Sequence, residues 1–230
     1  MKLSIGKMFL IAFALGIAAC NGSGNGGSSS LELDISLCAP ENGPFSTEIT
    51  NPYLPFQVGA VNVLEGLEGG TDQIKLQFTV LDETQDVDGV TTRVVEEQVW
   101  EGGSDTVTGV QRLYVVQASD GTVCFYGTET TEGEGTEEDW MAGVSDALPA
   151  ILMPGSPEVG QVFEVVHAPP NDVEPVEITA MGDTVETDVG VFTDTVTTAA
   201  EETGVTLKTW AAGVGLVDDD GVLLQSSTYL

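Results

Sequence analysis

The chain has 230 residues, with 37 acidic side chains against six Lys and Arg, a net charge of −31 at pH 7. Such a surface repels a polyphosphate backbone, which excludes nucleic acid as a partner, and it disfavours direct adsorption to anionic lipid headgroups. The length suits one domain, or two small ones, with ample core.

Lys2 and Lys7 form a short basic start, and Met8 to Ala19 is an almost wholly apolar run of about twelve residues. As a helix that run spans about 18 Å, well short of the roughly 30 Å of hydrocarbon a spanning helix must cross. A basic start, a short apolar core and small residues before a break predict a secretory signal peptide over 1–19. Ile17-Ala18-Ala19-Cys20 resembles the lipobox of bacterial lipoproteins. That resemblance implies a diacylglyceryl group on the Cys20 thiol, with Cys20 first in the chain after cleavage. Residues 20–32 then read as the lipidated Cys and a Gly/Ser/Asn tether, too poor in apolar area to offset its ordering entropy. Ten residues of such coil reach about 17 Å. Two or more acyl chains hold a protein on a bilayer, so the expected partner is a membrane, met through lipid alone. Asn21 stands where, in that family, Asp acts as an inner-membrane retention signal. The expected location is therefore the cell envelope, with the outer membrane or cell surface favoured. Without residues 1–20 the chain keeps four cations, Lys75, Arg93, Arg112 and Lys208, for a net charge of −33.

Cys38 and Cys124 remain, 86 residues apart. In an oxidising compartment they read as a disulfide worth about 4–5 kcal/mol in the chain-entropy model; the alternative is two separate buried thiols. The stretch "QIKLQFTV" (73–80) alternates, with Ile74, Leu76, Phe78 and Val80 on one side and Lys75, Gln77 and Thr79 on the other. Period two predicts a strand with one buried face. Similar runs follow, separated by "DVDG" (86–89), "SDG" (119–121), "TDVG" (187–190) and "DDDG" (218–221). Asp-Gly between strand-like runs signals a hairpin, because the turn needs positive φ. The fold class is antiparallel all-β.

The body also reads as written twice. "PFQVGAVNV" (55–63) is similar to "SPEVGQVFEV" (156–165), and "TVLDETQDVDGVTTRVV" (79–95) to "TAMGDTVETDVGVFTDTV" (179–196). Gly59 to Gly160 and Gly89 to Gly190 share the offset 101, while Tyr114 to Trp210 is 96. The expectation is a single β domain over 33–230, built from two repeats at about 50–130 and 150–230. Each is a meander of four or five strands, the pair packed as a sandwich or a barrel-like body. Between them, 132–155 starts as an acidic loop. Its 139–153 portion reads as a short helical or irregular insert setting Trp140, Leu148, Ile151 and Met153 on a sheet, and as a candidate lid.

"ITNPYLPFQVGAVNVLEG" (49–66), "DWMAGVSDALPAILMPGSPEVGQVFEV" (139–165) and "KTWAAGVGLVDDDG" (208–221) resemble a family of uncharacterised secreted β-rich bacterial proteins. Its pattern is an Asn-Pro-Tyr-x-Pro opening, a Trp-x-Ala-Gly-Val middle and a Gly-Val-Gly-Leu-Val close. The resemblance implies one β domain and no particular activity. This chain departs from it at Cys124, ahead of "FYG", where the family usually has Trp; the departure suits a disulfide confined to a subset.

Chemistry is sparse. His167 is the sole histidine, so a nucleophilic triad must use it; "GVSDA" (143–147) offers Ser145 but lacks the closing Gly of a nucleophile elbow. Zinc is short of Cys and His, and carboxylate pairs are too many to inform. Calcium suits oxygen-rich acidic loops, and Asp86, Asp88, Asp218, Asp219, Asp220 and the Glu132–Asp139 loop are its candidates. None has EF-hand spacing, since a loop from Thr84 puts Val95 at the bidentate position, and Asp-Gly turn chemistry explains the first two sites. No cofactor is expected beyond that one ion. The leading expectation is a lipid-anchored, non-catalytic binding or carrier module for an apolar ligand. The alternative is a structural or adhesive surface protein using calcium, and a hydrolase comes third.

Overall fold

Period-two alternation and Asp-Gly turns lay the described residues out as strands, with two short 3-10 turns among them. The computed structural model describes residues 31–133, 139–169, 172–201 and 205–230. The chain enters through β1 (Leu31–Glu32) and two 3-10 turns, Ile35–Cys38 and Pro40–Asn42. A first meander follows: β2 (Val61–Glu68), β3 (Asp72–Val87), β4 (Val90–Glu101), β5 (Gly109–Gln117) and β6 (Val123–Glu132). Then come β7 (Trp140–Met141), β8 (Ala150–Met153), β9 (Gln161–Ala168), β10 (Asp172–Met181), β11 (Val185–Thr187) and β12 (Gly190–Phe192). The chain finishes with β13 (Thr195–Glu201), β14 (Val205–Ala211), β15 (Gly215–Asp219) and β16 (Val222–Ser227).

The two meanders have one plan. β2-β3-β4-β5-β6 and β9-β10-β13-β14-β15 are both ladders of sequential neighbours, and β16 joins them by pairing with β15 and β2. The long β3–β4 hairpin of the first half corresponds to β10–β11 and β12–β13 in the second, where that hairpin is broken into two pairs. Asp88 (φ 48°) and Gly89 (φ 77°) close the first hairpin as a primed turn, whose twist matches the flanking strands. β1 pairs in parallel with β9. Leu31 and Glu32, at the end of the segment 20–32 expected to be tether, thus form a strand.

The pattern read over 73–80 holds: Ile74, Leu76 and Val80 are buried, and Phe78 packs against the core. The sheet does not close into a barrel, so of the two packings the sandwich stands. β8 pairs β6 and lies against β9, where Leu148 N–H donates to the His167 carbonyl at 2.9 Å, but no ladder joins β8 to β9 among the described residues. Every side chain from Val123 to Thr128 in β6 is buried. Cys124 and Tyr126 meet the 35–45 strap, through the Cys38–Cys124 disulfide, a Tyr126 hydroxyl to Cys38 carbonyl bond of 2.6 Å and the Phe45 ring. Phe125 meets the edge of Trp140, with ring centroids 5.2 Å apart.

The 139–153 insert is irregular and carries two short strands rather than a helical turn. Pro149 cannot donate within a helix, and the backbone groups of β8 are taken by β6 instead. Trp140, Ile151 and Met153 are buried as expected; Leu148 is not, being 47% exposed.

Candidate functional site

Six stretches far apart in sequence build one apolar pocket between the meanders. Leu54, Phe56 and Ala60 come from the segment before β2, Phe78 and Val80 from β3, Leu113 from β5 and Leu152 from β8. Trp210, Val214, Gly215, Leu216 and Tyr229 complete it, and Asn62 is its polar side chain. The free space is about 40 Å³. That is room for about three waters or a few methylene groups.

Asn51 fixes the near wall. It is buried; its Oδ1 accepts from the Tyr53 and Leu54 amides (3.0 and 3.3 Å), and its Nδ2 donates to the Gly121 and Pro154 carbonyls, both at 3.0 Å. Pro52 and Tyr53 reach the other half. Gly213 N–H donates to the Pro52 carbonyl at 2.7 Å, and the Tyr53 hydroxyl donates to Asp194 at 2.9 Å. Burial, with the Asp194 carboxylate beside it, pushes the Tyr53 hydroxyl pKa up. At the rim, the Tyr229 hydroxyl donates to the Pro55 carbonyl and accepts from Gln57 N–H. Asn62 Nδ2 donates to the Val214 carbonyl at 2.8 Å, while its Oδ1 is buried with no hydrogen-bond partner.

Beside the pocket lies a buried charge node that the sequence reading missed. Glu97 pairs across the ladder with Phe78, so it shares the inward face of β3 and β4. It is fully buried and neither carboxylate oxygen has a hydrogen-bond partner. Facing it from the second half are Lys208 and Asp219, whose Nζ–Oδ distances are 2.6 and 2.7 Å. Burial raises the Glu97 pKa to about 8; the Lys208 ammonium opposes the rise and the Asp219 carboxylate adds to it. Glu68 also sits above its ordinary range, through burial and then the Asp219 charge. The one signal in the sequence was parity: Glu97 falls between Val95 and Val99 on the inward register. A separate polar cleft of about 320 Å³ lies at the far turns, where Lys75 Nζ stands 4.6 Å over the Trp100 ring with Glu65 and Asp105 nearby.

The expected site residues scatter. Cys38 and Cys124 form the disulfide, their Cα atoms 5.5 Å apart. Cys20 lies outside the described residues, as does 134–138 of the acidic loop. The calcium candidates do not assemble. Asp86 accepts from the Thr91 hydroxyl at 2.7 Å, Asp88 and Asp220 are left-handed turn residues, Asp218 accepts from Gly221 N–H at 2.9 Å, and Asp219 is held by Lys208. Each acid is spent on turn geometry or an ion pair, and among the described residues no group of three or more His, Cys, Asp or Glu is placed to hold a metal. The His167 ring meets the Glu164 carboxylate. Ser145 sits exposed at φ 53°, with no hydrogen bond to that ring.

No family model matches the chain, and neither a curated protein nor a solved structure matches it. Among the described residues no helix is long and apolar enough to cross a membrane. The segments 49–66, 139–165 and 208–221, quoted above as one pattern, all contribute side chains to the pocket.

Proposed function

We propose that this is an exported, lipid-anchored envelope protein whose β body binds a small apolar ligand between its two meanders. The pocket carries the reading. Its lining is almost wholly hydrocarbon and is drawn from both halves and from β8. Pockets of this kind, apolar with a few placed polar groups, are where small molecules bind. Its small volume means that it grips part of a ligand, such as a chain end or a ring edge. The start of the chain supports the anchor: a short apolar run, then small residues, then Cys20.

The full chain carrying Cys20→Ser, titrated with a phenylnaphthylamine fluorophore, tests the binding. Saturable enhancement is expected, and Val214→Phe, which fills the pocket, weakens it at least tenfold. A linear response, or one that Val214→Phe leaves unchanged, overturns the reading. Labelled palmitate entering the wild-type chain but not Cys20→Ser tests the anchor.

A further inference from the structure

We infer that the pocket opens toward the bilayer holding the anchor and takes the end of one acyl chain from it. This rests on the reading of Cys20 as acylated. The geometry starts at β1. Because β1 runs parallel to β9, with Leu31 N–H donating to the Gly160 carbonyl at 3.1 Å, Leu31 stands at the sheet margin where β9 begins. That margin also carries the starts of β2, β13 and β15 and the ends of β10, β14 and β16. Thr228 N–H to Val61 carbonyl (3.0 Å) and Ala212 N–H to Asp194 carbonyl (2.9 Å) tie it together. The half-buried members of the pocket wall, Phe56, Asn62, Phe78 and Tyr229, lie at this margin, Asn62 pairing with Phe78 across β2 and β3. The mouth and the entry of the chain therefore share one margin.

Lengths decide the orientation. Ten residues separate Cys20 from Leu31, which can span at most about 35 Å. The body is longer, since the 16 residues of β3 extend about 50 Å. From β9 to β14, where Trp210 stands, is three strand spacings, about 14 Å. A tether this short keeps its own margin nearest the membrane. The room inside suits a few methylenes and no headgroup.

The test uses the full lipidated protein in phosphatidylcholine vesicles. Val58→Cys, at the mouth margin, and Thr71→Cys, at the opposite turn, are both exposed. Each gives one reactive thiol, the native Cys38 and Cys124 being paired. With bimane on that thiol and a spin-labelled lipid in the bilayer, quenching at position 58 is expected to exceed that at 71 at least threefold. Equal or reversed quenching overturns the inference. A lipid with a photoreactive chain terminus is expected to attach to the 207–216 peptide, at least tenfold less in Val214→Phe; attachment elsewhere, or none, also overturns it. Intact mass separates the two failures. A bare Cys20 fells the anchor reading and this inference together, whereas an acylated Cys20 with equal quenching fells this inference alone.

Discussion

Glu97 is a carboxyl group placed where its strand offers the core a hydrophobe. The folded group titrates at about 8 against an ordinary 4.5, so the folded state holds the proton more tightly than the unfolded state. The contribution of Glu97 to stability is full below about pH 4.5 and is lost as the pH rises toward 8. Glu97→Gln mimics the protonated form. It is expected to match the wild type at pH 4 and to exceed it at pH 9 by an amount on the order of 5 kcal/mol, read from urea melts across pH. Lys208→Met is the converse. It leaves Asp219, 9% exposed in its side chain, without its cation, a loss of about 3–5 kcal/mol. Lys208→Met with Asp219→Leu removes both charges, and its urea midpoint should return most of the way to the wild type.

Among the elements, strands were legible where one face meets the core and the other meets solvent, as over 73–80. Turns were legible wherever Asp-Gly supplies positive φ. The insert was not: Ala150 to Met153 is buried at every position, so it shows no period, and a short apolar run reads equally as strand or helix. Glu97 was invisible because a carboxylate reads as a solvent residue until its register is known. The pocket was invisible because its wall is gathered from segments between Leu54 and Tyr229. The calcium candidates Asp88 and Asp220 sit in the same left-handed Asp-Gly turns that made the hairpins readable, and among the described residues no acidic group gathers to hold a metal. At this scale the strap and the seam make the predictions. Cys38 and Cys124 are both fully buried, so dithiothreitol alone should leave the bond intact, while reductant with urea opens it and lowers the refolding midpoint. Cys38→Ser with Cys124→Ser is expected to cost about 3–5 kcal/mol. Gly66 lies on the seam, where an added Cβ would sit 2.8 Å from Val222 Cα. Gly66→Ala should force β2 and β16 apart and cost about 1–3 kcal/mol, with a lower thermal midpoint as the readout.

For the whole molecule, two meanders of one plan share a core that either alone would leave bare. The shared offset of 101 residues made that plan readable in advance, while the strand that joins the halves has no counterpart in the repeat and was not foreseen. Charge acts at this scale too. With a net charge of −31, the folded body works against its own field, which salt screens within about 10 Å at 0.1 M. The thermal midpoint is expected to rise by about 5 °C between 10 mM and 1 M sodium chloride, and a flat response would show that the acids are too dispersed to matter.

The position of β16 sets a schedule for the molecule. A ribosome delivers β2 (Val61–Glu68) well before its outer neighbour, β16 (Val222–Ser227). Until then the front half has a raw flank of amide and carbonyl groups, open to any extended stranger. A nascent chain halted after Asp220 should therefore clump where the finished one stays in solution. β16 is laid only after both meanders, and the flank of β2 stays open until it arrives.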